Sequence, residues 1–284
     1  EEPPPRKPLP LAMMLARALR PRFSHLRRSW GRASLATAAP ELPELARALG
    51  FAMPTPASIA YPPDYRPPVR LSCGLAMVPH GQTPSNVKLL FQSHEDGGPM
   101  QTLTDEGVAM ARRGAAAFAH AHGADLRERP GAWALYRSPL SRAAATADAY
   151  AAALSEVGVA APEPSVDPAL IEINAGSWHG LTVEGLAAAG RQEDAEAAAQ
   201  YRAGSVVARA TDGSGESLLE VLARAAAWLR DLEARHGGGR TNVLVFGHGT
   251  FQNSVEVLLR CYPEKEPAHV FSRISGGSHL RRGE

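Results

Sequence analysis

From Leu71 onward, short apolar runs alternate with longer segments of helical periodicity, and this alternation limits the folds that the chain can adopt. Apolar runs occur at Leu75–Val78, Trp133–Tyr136 and Asn242–Phe246. A sheet whose strands alternate with helices is covered on both faces, and this pattern is typical of parallel α/β folds. We therefore predict a three-layer α/β/α sandwich with a mostly parallel central sheet.

Two of the predicted helices carry clear start signals. Thr104 precedes a helix that we expect to end near Ala121, because a threonine side chain caps the first turn. Ser217 and Glu220 have the spacing of a capping box, in front of a segment with leucines on one face. Further helices are predicted over residues 141–154 and 251–260.

Residues 1–53 are predicted to form a basic extension in front of the folded domain. From Pro3 to Pro40 the chain has eight Lys and Arg residues and no acidic residue. This composition, from Met13 to Pro40, is typical of an organellar transit peptide and predicts a mitochondrial or other organellar protein. A disordered basic tail or a nucleic-acid-binding arm is the alternative, and a cytoplasmic location would then follow.

Residues 54–70 contain six prolines and are predicted to form a linker or a strap on the domain surface. The folded domain is then expected over residues 71–284. The whole chain carries a net charge of only +1, so its total charge gives no reason to expect nucleic acid as a partner. No apolar run approaches the roughly 18 residues of a membrane span, so no membrane partner is expected.

Polar groups that suit phosphate chemistry follow each predicted strand directly. His80 follows the first strand, Arg137 and Arg142 follow the second, and His248 follows the third. Because ligand sites form at the carboxyl ends of parallel strands, we expect these groups to share one pocket. Imidazoles, guanidinium groups and helix N-termini supply positive charge or N–H donors to a phosphoryl group. Taken alone, each histidine is more often structural, but two at glycine-flanked strand ends favour a site.

Six segments in the right order resemble motifs of the histidine phosphatase (phosphoglycerate mutase-like) superfamily, branch 1. Residues 79–86 resemble Arg-His-Gly-x-Thr-x-x-Asn, and residues 172–180 resemble Glu-Ile-x-x-Gly-x-Trp-Glu-Gly with His179 in place of the second glutamate. The remaining four are residues 103–107, 138–143, 215–217 and 247–249. The resemblance implies a phosphoglycerate mutase-like fold.

The resemblance also implies catalytic roles for three residues. His80 would be the nucleophile that takes the phosphoryl group, and a neutral imidazole suits that step. His248 would hydrogen-bond the transferring phosphoryl oxygens. Glu172 would protonate the departing alcohol and later deprotonate the attacking water, although a loop carboxylate is usually just solvated. No metal or other cofactor is implied.

Substrate contacts are implied for a further group of residues. Arg142 would clamp the phosphoryl oxygens with its planar guanidinium group, and Asn86 would add a neutral donor. A plain surface arginine on a helix is the alternative for Arg142. The motifs also place Gly81, Thr83 and Gly249 at the phosphate.

Pro79 departs from the family pattern, which has an arginine immediately before the nucleophilic histidine. Proline has no charge and no backbone N–H, so a phosphate loses a bidentate partner. We expect Arg137 to reach into the vacated space, because its strand should end beside the first strand. The alternative is that Arg137 points to solvent or pairs with an acid.

Three functions fit the sequence. A phosphomonoester hydrolase acting on a small phosphorylated metabolite or a phosphoprotein is favoured over a phosphoglycerate-type mutase, because the interval from Glu172 to His248 is short. A degenerate member that only binds a phosphorylated ligand is the third, and Pro79 supports it. Residues 181–213 are predicted to form a helical cap over the pocket. Neither the substrate nor the oligomeric state follows from the sequence.

Overall fold

The computed structural model describes residues 41–129 and 131–271. Its strands are β1 (Ala52–Thr55), β2 (Ser58–Ala60), β3 (Leu75–Pro79), β4 (Trp133–Arg137), β5 (Ser165–Val166) and β6 (Asn242–Gly247). Its helices are α1 (Glu41–Ala48), α2 (Pro84–Val87), α3 (Asp105–Glu128), α4 (Ser141–Glu156), α5 (Val183–Ala188), α6 (Gln192–Arg202), α7 (Leu218–His236), α8 (Gly249–Leu259) and α9 (Pro267–Phe271). In this part of the chain, no helix has the length and hydrophobicity that crossing a bilayer requires.

The central sheet has four parallel strands in the order β3-β6-β4-β5. Pro79 at the end of β3 pairs with Gly247 at the end of β6, and Arg137 at the end of β4 pairs with Phe246. All three strands therefore end at the same edge of the sheet, and β6 lies in the middle.

Helices cover both faces of this sheet, which confirms the predicted three-layer sandwich. On one face, α3 and α4 pack against the sheet through a cluster that includes Phe118, Tyr150 and Phe246. On the other face, α7 and α8 bury Leu229 and Phe251 in the larger core. Strand residues alternate between the two clusters because neighbouring side chains of a strand point to opposite faces.

The helix start signals are confirmed, but one helix end was predicted too early. Thr104 accepts a hydrogen bond from the Gly107 backbone N–H, and Ser217 forms a reciprocal capping box with Glu220. Helix α3 continues to Glu128 rather than ending near residue 121. Nothing in the intervening sequence breaks a helix until residue 130, which is a proline.

The folded domain begins before residue 71, contrary to our sequence-based boundary. Leu45 and Leu49 of α1, with Phe51 and Ile59, are buried in the same core as α7 and α8. Sequence analysis extended the basic segment to residue 53, although the apolar face of α1 begins just after the acid-free stretch. Residues 54–70, which we call the strap, include β2 and bury Ile59, Tyr65 and Val69 in that core. The transit-peptide prediction concerns residues 13–40, which lie outside the described residues.

Two tyrosines fasten the strap to the C-terminal end of α8. Tyr61 donates a hydrogen bond to the Val257 carbonyl (2.8 Å), and Tyr65 donates one to the Leu258 carbonyl (2.7 Å). The last carbonyls of a helix lack the usual partner within the helix. The Tyr65 hydroxyl satisfies the Leu258 carbonyl, and the Tyr61 hydroxyl adds a second donor to the Val257 carbonyl, which also accepts from the Arg260 backbone N–H at 3.1 Å. Phe51 stacks on Tyr65 at a centroid distance of 5.2 Å. The strap therefore holds one end of the helix that begins next to His248.

Replacing Tyr65 with Phe is expected to lower the free energy of unfolding by about 1–2 kcal/mol, because the buried Leu258 carbonyl loses its donor. Urea denaturation measures the change. Tyr61→Phe is the matched control and should cost less, since its hydrogen bond is only partly buried. Equal stability of Tyr65→Phe and the parent chain would show that the strap does not depend on this hydrogen bond.

Candidate active site

A cleft opens where β3 and β6 end. The cleft is bounded by the motif loops on one side and by the α6 end of the predicted cap on the other. Its lining includes Pro79, His80, Asn86, Glu172, Arg202 and Gly249.

The structure brings the two motif histidines side by side. The ring centroids of His80 and His248 are 5.3 Å apart, and the ring planes are inclined at 64°. Nδ1 of His80 lies 2.8 Å from the Gly81 carbonyl oxygen. A carbonyl only accepts hydrogen bonds, so a neutral His80 ring carries its proton on Nδ1 and its lone pair on Nε2. This is the tautomer in which Nε2 can attack a phosphorus atom.

His248 is fully buried and is held by a serine. Its Nε2 lies 2.7 Å from Ser138 Oγ, which also accepts a hydrogen bond from the Leu140 backbone N–H. Burial lowers the pKa of His248 well below its ordinary value, and the nearby charge of Arg142 lowers it further. The imidazole is therefore neutral at neutral pH. Nδ1 has no hydrogen-bond partner among the described residues.

Glu172 is a buried carboxyl group beside this pair. Its Oε1 accepts a hydrogen bond from the Ile173 backbone N–H (2.8 Å), and its Oε2 lies 3.8 Å from His248 Nδ1. Burial raises the pKa of Glu172, and the charge of Arg142 partly opposes that shift. A carboxyl group whose pKa is raised toward neutrality can both give and take a proton at working pH, as a general acid–base group must.

The loop that carries Glu172 is held by Arg224, which sequence analysis did not identify. Arg224 donates hydrogen bonds to the carbonyls of Ala169 (2.9 Å) and Ile171 (2.8 Å) and pairs with Glu216 at 3.3 Å. The sequence does contain a signal for Arg224, which is a basic residue beside the apolar face of α7. A cation on a partly buried face needs hydrogen-bond acceptors, so a nearby loop could have been expected to supply them.

Arg142 lies beneath the cleft rather than on its surface. The residue is fully buried, and it donates to the Ser93 carbonyl (3.2 Å) and to Gln101 Oε1 (3.4 Å). Its Nε has no hydrogen-bond partner among the described residues. Burial lowers the pKa of Arg142, and the carboxylate of Glu172 opposes the shift. The alternative of a plain surface arginine is therefore wrong.

Thr83 and Asn86 serve the local backbone. Thr83 is fully buried, and it forms a capping box with Asn86 at the start of α2. Asn86 Oδ1 accepts from the Thr83 N–H and hydroxyl, and its Nδ2 donates to Gln92 Oε1 at 3.2 Å. The Thr-x-x-Asn spacing is that of a capping box, so the predicted substrate contact from Thr83 is wrong. Asn86 does line the cleft.

Gly81 and Gly249 were both predicted to contact the phosphate, but only Gly249 lines the cleft. The backbone N–H of Gly81 donates to Thr146 Oγ1 at 2.9 Å, so it does not point at a substrate. A Cβ at Gly81 would collide with the Gly107 carbonyl, which explains why a glycine stands there. Gly249 lines the cleft as the first residue of α8. The N–H groups of a first helical turn have no partner within the helix and suit an anion.

Arg137 does not replace the missing arginine, contrary to our expectation. Strand β6 lies between β3 and β4, so the ends of those two strands are not adjacent. Arg137 pairs with Phe246 and Pro79 pairs with Gly247, which puts the two positions on opposite faces of the sheet. The Arg137 Nη1 donates to the carbonyl of Ser138, at 3.3 Å.

A different arginine, Arg202 at the end of α6, lines the cleft. Its guanidinium carbon lies 4.4 Å from the centroid of the Phe91 ring, and its Nη2 donates to the Leu89 carbonyl at 3.1 Å. The predicted cap therefore supplies a cation to the cleft. Sequence analysis predicted the cap but did not identify this arginine.

The chain is similar to proteins of known structure. A protein described as mycobacterial hydrolase 1 is 26% identical, with 70% of this chain and 82% of that chain covered and a TM-score of 0.50. A mycobacterial glucosyl-3-phosphoglycerate phosphatase, solved with VO3, is 24% identical, with 70% and 84% covered and a TM-score of 0.50. YhfR from Bacillus stearothermophilus is 26% identical, with 70% and 83% covered and a TM-score of 0.49. No curated protein matched the sequence.

The family comparison covers the sheet and the cleft. The model of the histidine phosphatase superfamily (branch 1) matches residues 75–271, which is more than half of the chain. This range includes β3, β4 and β6 and every residue that lines the cleft. Family membership supports a phosphoryl-transfer activity in general terms. The chain belongs to branch 1 of the histidine phosphatase superfamily.

Proposed function

We propose that this protein is a phosphomonoester hydrolase that works through a phosphohistidine at His80, on a small phosphorylated metabolite or a phosphoprotein. One observation carries the proposal. One nitrogen of His80, one of His248 and a carboxyl oxygen of Glu172 all lie within 4.8 Å of one another, next to an open cleft. A nucleophile, a hydrogen-bonding imidazole and a proton donor can therefore reach the same phosphoryl group.

In the first step, the Nε2 lone pair of His80 attacks phosphorus and the ester P–O bond breaks. The departing oxygen takes a proton from Glu172. In the second step, Glu172 removes a proton from a water molecule, whose oxygen attacks phosphorus while the P–N bond breaks. Inorganic phosphate leaves, and Glu172 is protonated again for the next turnover.

Three groups of the protein stabilise negative charge on the phosphoryl oxygens. His248 donates from Nδ1 when the Ser138 hydroxyl donates to its Nε2, and a hydroxyl can take either role. The buried guanidinium of Arg142 and the N-terminus of α8 add positive potential. Pro79 leaves this set one cation short of the family pattern, so a slow hydrolase is expected.

The other two functions remain as alternatives with their own signatures. The mutase is disfavoured because the interval between Glu172 and His248 is short. Before α7 this interval forms only a 3-10 turn and the two short helices α5 and α6. A degenerate binding protein would explain Pro79. It would not require a raised pKa at Glu172 or a lone pair on His80 Nε2.

Incubation with p-nitrophenyl phosphate separates the three. Release of nitrophenol that stops in His80→Asn supports the hydrolase. Binding of inorganic phosphate without any turnover supports the degenerate member. Transfer of a labelled phosphoryl group between positions of a phosphoglycerate, faster than its release to water, supports the mutase.

Replacing Arg202 with Gln is expected to raise KM for a small phosphomonoester about fivefold to tenfold, with kcat within about twofold. The guanidinium lines the cleft from the cap and attracts the dianion before chemistry begins. Steady-state kinetics measure both constants. Arg113→Gln, on the exposed face of α3, is the control and should change neither. A fall in kcat with KM unchanged would instead place Arg202 in the chemical step.

A further inference from the structure

We propose that His80, His248 and Glu172 also form an inhibitory binding site for Zn²⁺, a ligand that excludes the phosphoryl group from the same atoms. Two imidazoles and one carboxylate are the donor set of many zinc sites that keep a fourth position open. In this chain, the three donors come from three different loops and meet within 4.8 Å.

The spacing of the donors suits a small cation. Tetrahedral zinc holds its ligand atoms about 3.3 Å apart, since Zn–N distances are about 2.0–2.1 Å. His248 Nδ1 and Glu172 Oε2 are already 3.8 Å apart. Modest side-chain rotation toward the cleft therefore completes the site, and a water molecule from the cleft supplies the fourth ligand.

Both imidazoles are oriented as metal ligands usually are. A ligating histidine donates its other N–H to a nearby acceptor, which fixes the ring and its tautomer. His80 donates from Nδ1 to the Gly81 carbonyl, at 2.8 Å. His248 can donate from Nε2 to Ser138 Oγ, at 2.7 Å, and then carries its lone pair on the buried Nδ1 that has no partner among the described residues. The Ser138 hydroxyl therefore allows one tautomer for a phosphoryl oxygen and the other for a metal.

Local charge decides whether a dication is tolerated. Arg142 opposes it, but Arg224 is offset by Glu216 at 3.3 Å, and Glu172 contributes a negative charge when ionised. Pro79 stands next to His80 where the family pattern has an arginine. Because proline is uncharged, the cluster repels Zn²⁺ less than it would with an arginine at this position.

Titration of the purified chain with Co²⁺ tests the site without relying on activity, because Co²⁺ absorbs visible light strongly in a tetrahedral site. We expect one tetrahedral Co²⁺ per chain that Zn²⁺ displaces, no such band in His80→Asn, and at least tenfold weaker affinity in Glu172→Gln. Pro79→Arg should weaken affinity at least tenfold as well. His120→Ala, an exposed imidazole on α3, should leave the spectrum unchanged, and circular dichroism checks that each variant is folded.

The inhibition experiment rests on the proposed function. Zn²⁺ should inhibit p-nitrophenyl phosphate turnover at micromolar concentration, in competition with inorganic phosphate, and EDTA should restore the rate. A tetrahedral spectrum in a chain with no turnover would uphold the metal site and refute the hydrolase. If Zn²⁺ does not inhibit turnover and Co²⁺ gives no tetrahedral spectrum, the metal site is overturned and the hydrolase is not. A spectrum that persists in His80→Asn would assign binding to other histidines and overturn it too.

Discussion

His80→Asn is expected to lower kcat for p-nitrophenyl phosphate by at least about four orders of magnitude, because the covalent route loses its nucleophile. Asparagine is close in size to histidine and preserves the polar lining of the cleft. The change should therefore leave the free energy of unfolding within about 1 kcal/mol of the parent value. Stopped assays at high enzyme concentration measure the residual rate.

The matched control for this variant is His94→Asn. His94 is the other partly buried histidine beside the site, and its Nε2 lies 2.7 Å from the Glu172 carbonyl oxygen. Because its hydrogen bond goes to the backbone of the loop that carries Glu172, we expect a loss of tenfold or less. Equal losses in both variants would mean that His80 acts by position rather than as a nucleophile.

Pro79→Arg is expected to raise kcat/KM for p-nitrophenyl phosphate about a hundredfold, a gain of function from a single substitution. Pro79 lines the cleft and is adjacent to His80 in sequence, so a guanidinium there meets the transferring phosphoryl oxygens. One such donor is worth on the order of 3 kcal/mol in a transition state. The gain should appear mainly in kcat, since the guanidinium would match the geometry of the phosphoryl group in transfer better than that of the bound ester.

Pro79→Met separates charge from backbone effects, because methionine also restores the N–H but brings no cation. It should stay within about threefold of the parent chain. A similar gain in both variants would assign the slow rate to proline's backbone. No gain in Pro79→Arg, with normal folding, would show that another group already fills the role of the missing cation.

The sequence predicted the sheet and the proximity of His80 and His248 for a physical reason. Parallel strands all end at one edge, so polar residues that follow apolar runs converge there whatever the rest of the chain does. His80 and His248 lie close together because β3 and β6 are neighbouring strands. Strand order itself does not follow from such patterns, and the expectation for Arg137 failed because it assumed an order.

Sequence reasoning was weakest where one pattern fits two structures, or where only tertiary packing determines what a residue contacts. The spacing of Thr83 and Asn86 fits both a phosphate loop and a capping box, and the structure uses it for the cap. Arg202 and Arg224 lie outside the compared motifs, and only tertiary packing shows that one reaches the cleft and the other the Glu172 loop. Helix α1 was missed because the basic composition beside it dominated the interpretation of that end of the chain.

Trapping the phosphorylated protein tests the central claim most directly. In Glu172→Gln, p-nitrophenolate still leaves without a proton, but attack by water lacks its base, so the covalent intermediate should accumulate. Quenching in alkali, which preserves phosphohistidine, followed by mass spectrometry of the peptides should place one phosphoryl group per chain on His80. Nitrophenol release with the phosphoryl group on another residue, or with no protein-bound phosphate at all, would contradict the account.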